Sequence, residues 1–152
     1  MDIQGKVALV TGGAIRVGKA IALGLAQAGA DVVINYHTSA VEAQATIAEI
    51  SARGVRSLAI QADISDASQV QAMVAQIQAT FGRLDIVVNS SSRFQTTPVM
   101  TTTVEEWRQV LSVLLDGPFF LSQAAAPLLR AHGAGVIINI LDLSAFAPWP
   151  NF

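Results

Sequence analysis

The sequence predicts a doubly wound parallel α/β sheet, and three observations lead to this fold class. Short apolar segments alternate with longer segments whose apolar residues recur at helical spacing. The short segments are of the kind that is buried on both faces of a parallel sheet. Glycine-rich or polar clusters follow their carboxyl ends, where ligands bind in open α/β sheets. The 152 residues are enough for one domain with a sizeable core.

A glycine-rich turn joins the first predicted strand to the first predicted helix. Residues 6–10 are short and apolar, and apolar residues then recur at helical spacing until Gly29. Such a turn directs free backbone N–H groups and the positive end of a helix dipole at one point, which favours a bound phosphate. Gly12 lets the backbone approach an anion closely, and Gly18 lets the helix pack tightly on the strand.

The middle of the chain predicts two further strand and helix units. Residues 31–36 form an apolar strand, and Ser39 with Glu42 is predicted to open the next helix as a capping box. Residues 55–62 form the third strand. Apolar residues at helical spacing over 70–81 predict the helix that follows.

The last part of the chain predicts two strands around a long helix. The strands cover 84–89 and 136–141, and Thr103 with Glu106 predicts a capping box at the start of the helix. Pro118 should kink this helix, because proline removes a donor and crowds the preceding turn. The last strand is expected to leave an exposed apolar edge.

The composition argues against several functional classes. With 52% hydrophobic residues, 13% charged residues and a net charge of −2, the chain offers no basic field for nucleic acid. No apolar run appears long enough to cross a membrane, and the start lacks a signal-peptide core. Zero cysteines exclude disulfides and suit the cytoplasm, and His37 and His132 lack companions at metal-ligand spacing, which predicts no metal site.

Five clusters are expected to meet at one edge of the sheet, because each follows the carboxyl end of a predicted strand. Their convergence argues for a ligand site more strongly than any single motif. The clusters are Gly12 to Arg16, Asn35 to Ser39, Asp63 with Ile64, Asn89 to Phe94, and Asp142.

The glycine turn admits a mononucleotide interpretation. Gly13-x4-Gly18-Lys19 matches most of the phosphate loop of nucleoside triphosphate hydrolases and kinases, but Ala20 lacks the hydroxyl that would hold magnesium. The strict dinucleotide fingerprint does not fit either, because Ala14 stands at its second glycine.

A different pattern fits the same turn. Thr11-Gly12-x-x-x-Arg16-x-Gly18 resembles the T-G-x-x-x-G-x-G turn of the short-chain dehydrogenase/reductase family, with Arg16 in place of the middle glycine. That change resembles the form found in pteridine reductases. The resemblance covers residues 6–152 and implies a Rossmann-like dinucleotide-binding domain made of the N-terminal five-strand portion of the fold.

The resemblance implies NADP (NADPH) as the cofactor. Residues 35–39 contain no acid that would repel a 2′-phosphate, and Arg16 adds a positive charge. Asn89 matches the first asparagine of the family's Asn-Asn-Ala-Gly segment, although it could instead tie neighbouring strand ends together. The implied cofactor-binding residues are Gly12, Ile15, Arg16, Tyr36, His37, Thr38, Ser39, Asp63, Ile64, Asn89, Ser90 and Ser91.

The resemblance also implies a reductase with a small-molecule substrate. Asp142 stands where most of the family has serine, and an aspartate there would repel an oxyanion but could donate a proton to a ring nitrogen. Ser92 and Phe94 match a serine and an aromatic residue of pteridine reductases, in which the ring would stack on the pterin. As an alternative, Phe94 only anchors its loop.

Two departures from the family leave a non-catalytic dinucleotide-binding or partner-binding fragment as the alternative function. Leu114 falls where the family has an asparagine that supports a proton relay. The family's Tyr-x-x-x-Lys pair would begin roughly three residues beyond Phe152, so domain 1–152 is expected to be incomplete at its C-terminal end. When completed, the enzyme is expected to form a homo-oligomer.

Overall fold

The computed structural model describes residues 2–143, 146 and 147, and these form one parallel sheet of five strands. The strands are β1 (Val7–Val10), β2 (Asp31–Tyr36), β3 (Ser57–Gln61), β4 (Ile86–Asn89) and β5 (Val136–Asn139). Their order across the sheet is β3-β2-β1-β4-β5, and every neighbouring pair is parallel. The predicted doubly wound α/β fold is therefore confirmed.

The described residues also form five α-helices, four of which cover the two faces of the sheet. They are α1 (Arg16–Gln27), α2 (Ala40–Ser51), α3 (Ala67–Phe81), α4 (Val104–Leu111) and α5 (Gly117–Ala131). Helices α1 and α2 pack against the face that carries Ala8 and Val10, and α3 and α5 pack against the face that carries Val7 and Leu9. Side chains alternate along each strand, so both faces of β1 are buried.

One of the two predicted capping boxes is present. At the start of α4 the Glu106 amide donates to Thr103 Oγ1 over 3.2 Å, and the Thr103 amide donates to Glu106 Oε2 over 2.8 Å. The capping box predicted for Ser39 and Glu42 is wrong. Ser39 has a ψ of 59°, away from the extended backbone of a side-chain cap, and its hydroxyl makes no cap hydrogen bond.

The predicted kink at Pro118 takes the form of a π-helical segment, Ser112–Asp116, between α4 and α5. Proline has no N–H to donate to the Leu114 carbonyl, so the ladder shifts there instead of ending. The helical run Val104–Ala131 consequently spans 28 residues, and it is long and apolar enough to cross a membrane by length and composition. The core helix of a soluble protein can pass the same test, so this length is weak evidence for a membrane span.

Strand β5 forms an open edge of the sheet. Its side chains are exposed, from 38% for Val136 to 45% for Ile138, whereas β4 is buried throughout. The exposed apolar edge that the sequence predicts is confirmed.

Candidate functional site

A cavity of about 830 Å³ lies at the carboxyl edge of the sheet. This volume is within the range of small-molecule and cofactor sites. All five predicted clusters contribute to its wall. Of the predicted site residues, the following line it: Gly12, Ile15, Arg16, Tyr36, His37, Thr38, Ser39, Asp63, Ile64, Ser90, Ser91, Ser92, Phe94 and Asp142.

The turn between β1 and α1 is built so closely that a Cβ at any of three positions, Gly12, Gly13 or Gly18, would crowd its neighbours. Gly12 has a φ of +60°, and a Cβ there would lie 3.1 Å from the Cα of Ser91. A Cβ on Gly18 would lie 2.3 Å from the carbonyl oxygen of Gly12. Gly18 therefore lets α1 pack on the turn itself, rather than on the strand as the sequence suggests.

Arg16 has a left-handed backbone with a φ of 51°. Among the described residues it is the one non-glycine residue with positive φ. A side chain in this conformation costs about 1–2 kcal/mol, and such strain concentrates at functional sites. The resemblance to the family predicts glycine here, so the arginine stands at a position that favours a residue without a side chain. It brings a charge to the cavity wall next to the turn.

The start of α1 has backbone N–H donors that no side chain caps, and such donors can bind an anion. Its N-cap residue, Ile15, has no side-chain oxygen, and the first turn contains no acid. The first N–H groups of a helix have no partner inside the helix, and they carry the positive end of its dipole. Backbone donors and Arg16 therefore combine at one end of the cavity.

Two polar residues that are absent from the implied cofactor-binding residues, Thr11 and Asn35, hold the loops of the site together. Thr11 Oγ1 accepts hydrogen bonds from the amides of Ser90 and Ser91 over 3.0 and 3.1 Å, which ties the loop after β4 to the turn. Asn35 Nδ2 donates to the carbonyl of Ala62 over 2.9 Å, and this bond joins the ends of β2 and β3. Both side chains are buried polar groups at strand ends, a signal that the sequence already contains.

The end of β2 supplies polar side chains and no acid to the cavity. The nearest acid there, Asp63, follows β3, and its Oδ2 lies 4.0 Å from Nε2 of His37. Burial raises the pKa of Asp63, but hydrogen bonds from the hydroxyl and amide of Ser65 outweigh burial and hold the pKa below its ordinary value. Asp63 is therefore an ionised acceptor at neutral pH.

Asn89 lies behind the cavity wall rather than in it. It is 5% exposed, and its Nδ2 donates to Oδ1 of Asn139, its register partner on β5, over 2.8 Å. Its own Oδ1 has no hydrogen-bond partner within the described part of the chain. The geometry matches the alternative in which this side chain ties strand ends together, and contact with a cofactor stays a prediction.

The opposite end of the cavity is formed by the loop after β4 and the end of β5. Phe94 is 62% exposed there, and Ile140, Leu141 and Asp142 leave β5 along the wall. Leu114, in the π-helical segment, does not line the cavity. Among the residues that follow β5, 144, 145 and 148–152 lie outside the described residues. No group of three metal-ligating side chains occurs among the residues described.

Residues 6–152 match the short chain dehydrogenase family. The chain belongs to this family. It is 40% identical over 135 residues to a 3-oxoacyl-(acyl-carrier-protein) reductase FabG of Staphylococcus aureus, and the match covers 89% of the chain and 55% of the relative. The chain thus spans little more than half the length of that curated relative.

Two solved structures have the same fold as this chain. A short chain dehydrogenase of Burkholderia cenocepacia in complex with NADP is 39% identical and superposes with a TM-score of 0.93, over 99% of this chain and 61% of the other. A blue fluorescent protein from a metagenomic library in complex with NADPH is 35% identical, with a TM-score of 0.90 over 98% and 61% of the two chains.

Proposed function

We propose that this chain is the NADP-binding portion of a short-chain reductase. The proposal depends on one observation: Arg16 and the end of β2 line the same cavity, and the end of β2 contains no acid. Arg16 has a left-handed backbone there. An acid at the end of β2 would select against a 2′-phosphate, whereas an arginine would bind it. The bound NADP and NADPH of the two solved relatives support the same assignment.

The residues present fit a dinucleotide phosphate. The uncapped first turn of α1 would hold the pyrophosphate, since Gly12 and Gly18 leave room for a close approach. Arg16 would bind the 2′-phosphate together with the hydroxyls of Thr38 and Ser39, and Asp63 would accept from the adenine. When bound, NADPH supplies a hydride to a C=N or C=O carbon.

For the substrate we favour a small nitrogen heterocycle of the pteridine type. Phe94 offers an exposed ring to stack on a flat ring system, and Ser92 offers a hydroxyl beside it. Asp142 would hold or donate a proton at a ring nitrogen, because a carboxylate in this place disfavours a developing oxyanion.

Two specific observations favour other functions. The identity of 40% to a 3-oxoacyl-(acyl-carrier-protein) reductase favours reduction of a 3-oxoacyl thioester. Leu114, which cannot take part in a proton relay, favours a non-catalytic dinucleotide-binding or partner-binding fragment. We also propose that the completed protein forms a homo-oligomer.

Titration calorimetry with NADPH and NADH tests the cofactor. We expect NADPH to bind at least about tenfold more tightly than NADH, and Arg16→Gly to lose this preference, because glycine suits the left-handed backbone and lacks the guanidinium. Arg108→Gln, an exposed arginine away from the cavity, is the matched control. Equal affinities of the wild-type chain for the two cofactors would overturn the NADP assignment.

Turnover separates the candidate functions. A version of the chain extended past Phe152 is mixed with NADPH and either a dihydropterin or an acetoacetyl thioester, and the loss of NADPH absorbance is followed. Oxidation that depends on the dihydropterin and falls in Asp142→Asn supports the heterocycle, and oxidation that depends on the thioester supports the second function. Measurable NADPH binding without oxidation of either substrate supports the non-catalytic fragment.

A further inference from the structure

Arg93 lines the cavity from the loop after β4, and the site described so far gives it no role. It stands between Ser92 and Phe94, the two residues proposed to contact the substrate. Arg93 thus belongs to the segment after β4 that also carries the proposed substrate contacts, whereas Arg16 belongs to the turn after β1.

The Arg93 guanidinium is held in place by two neutral acceptors. Its Nε donates to Oε1 of Gln95 over 3.0 Å, and its Nη2 donates to Oε1 of Gln109 on α4 over 3.0 Å. Nε2 of Gln109 in turn donates to Oε1 of Glu105 over 2.9 Å, which turns the amide oxygen of Gln109 toward Arg93. The loop and α4 thus orient this cation together.

The charge of Arg93 is not matched by a carboxylate within the described residues. Lys6, Lys19, Arg56 and Arg83 each lie within 4.0 Å of a carboxylate oxygen, whereas Arg93, like Arg16, Arg53, Arg108 and Arg130, has no such pair among the described residues. A guanidinium has five N–H donors, and the two glutamines take two of them. The other N–H donors, which include both on Nη1, can donate to a carboxylate or phosphate, the anions that guanidinium groups bind in proteins.

We propose that Arg93 anchors an anionic group on the substrate, a carboxylate or a phosphate remote from the carbon that is reduced. This inference rests on the proposed function, because it assigns the substrate class of the same cavity. Both substrate candidates can carry such a group. A pteridine can bear a carboxylate tail, and a 3-oxoacyl thioester can bear the phosphates of a coenzyme A or phosphopantetheine carrier.

Two ligand pairs that differ in their anionic groups test the anchor. Calorimetry compares folate with its dimethyl ester, and acetoacetyl-coenzyme A with acetoacetyl-pantetheine. We expect the anionic member of one pair to bind about tenfold more tightly to the wild-type chain, and Arg93→Gln to abolish the difference. The folate pair identifies a carboxylate as the anchored group, and the coenzyme A pair identifies a phosphate.

Three further variants sharpen the test. Gln109→Glu places a carboxylate on the existing partner of Arg93, so it should reduce the preference for anions while the arginine remains. Arg108→Gln, an exposed neighbour on α4, should leave the preference unchanged. Arg16→Gln separates the two cationic ends of the cavity. A preference that survives in Arg93→Gln, or that disappears only in Arg16→Gln, overturns the inference, as does the lack of a preference in both pairs.

The NADPH titration of the same variants separates this inference from the proposed function. Arg93→Gln is expected to bind NADPH as the wild-type chain does and to unfold at the same temperature, because its side chain is exposed and its partners are neutral. NADPH binding without an anion preference that depends on Arg93 refutes the anchor alone. An anion preference that depends on Arg93 in a chain that binds no NADPH refutes the proposed cofactor and retains the anchor.

Discussion

Replacement of Gly18 by alanine tests the geometry of the turn that carries the site. The new Cβ would lie 2.3 Å from the Gly12 carbonyl oxygen, 2.8 Å from its carbon and 3.1 Å from the Cα of Gly13. All three are backbone atoms, so no side-chain rotation relieves the overlap and the turn must move away from α1. Overpacking of this kind costs about 1–3 kcal/mol. The same movement displaces the backbone donors proposed to hold the pyrophosphate.

Gly24→Ala is the matched control for Gly18→Ala. Gly24 lies in the same helix, and a Cβ there meets no atom within 4 Å. The control should therefore stabilise the chain by about 0.5–1 kcal/mol through helix propensity alone. Each kcal/mol corresponds to a shift of about 2–4 °C in the unfolding temperature of a domain of this size. Thermal and urea unfolding measure both variants, and NADPH calorimetry shows whether binding falls in Gly18→Ala only. Equal stability of the two variants would show that α1 does not pack against the turn.

Three more predictions concern strain, pH and the open edge of the sheet. Arg16→Gly should keep or raise the urea midpoint, because glycine adopts a φ of 51° freely, and a clearly lower midpoint would refute the assigned strain. Hydrogen bonds, above all from Ser68, lower the pKa of Asp66 to about 2. The Asp66 carboxylate caps α3, so its stabilising effect is complete above the ordinary pKa of 3.8 and is lost as the pH falls toward 2. Melting curves at decreasing pH check this against Asp66→Asn, which retains a cap that does not titrate and should flatten the pH dependence. Ile138→Lys should reduce light scattering at high protein concentration, whereas Val41→Lys, on the exposed side of α2, should not; equal scattering of both variants would show that β5 is not the associating edge.

The fold could be predicted because the spacing of apolar residues distinguishes strands from helices. The place of the site could be predicted because ligands bind at the carboxyl ends of parallel strands. The bounds of β2 agree with the prediction at both ends, since apolar residues stop abruptly at Tyr36. Gly82 ends α3 with a φ of 73°, a conformation that glycine adopts without strain. The strand ends converge because parallel strands share a carboxyl edge, so residues as distant as Gly12 and Asp142 meet in one cavity.

Features that depend on a particular backbone angle, or on contacts between residues distant in the sequence, could not be predicted. Whether Ser39 caps α2 is decided by its ψ, and the sequence pattern of a capping box does not fix that angle. The sequence shows that Pro118 cannot donate a backbone hydrogen bond, but it does not show which carbonyls the neighbouring amides use instead, so the π-helical segment could not be predicted. The orientation of Arg93 comes from Gln109, sixteen residues away, whose side chain reaches it only because α4 packs beside the loop.

A crystal structure of this chain with NADP⁺ tests the central claim most directly. We predict that the 2′-phosphate lies within about 3 Å of the Arg16 guanidinium and that the pyrophosphate lies at the first turn of α1. The nicotinamide end should extend toward Phe94 and Asp142. A dinucleotide bound away from the carboxyl edge of the sheet, or with its 2′-phosphate remote from Arg16, would contradict the account.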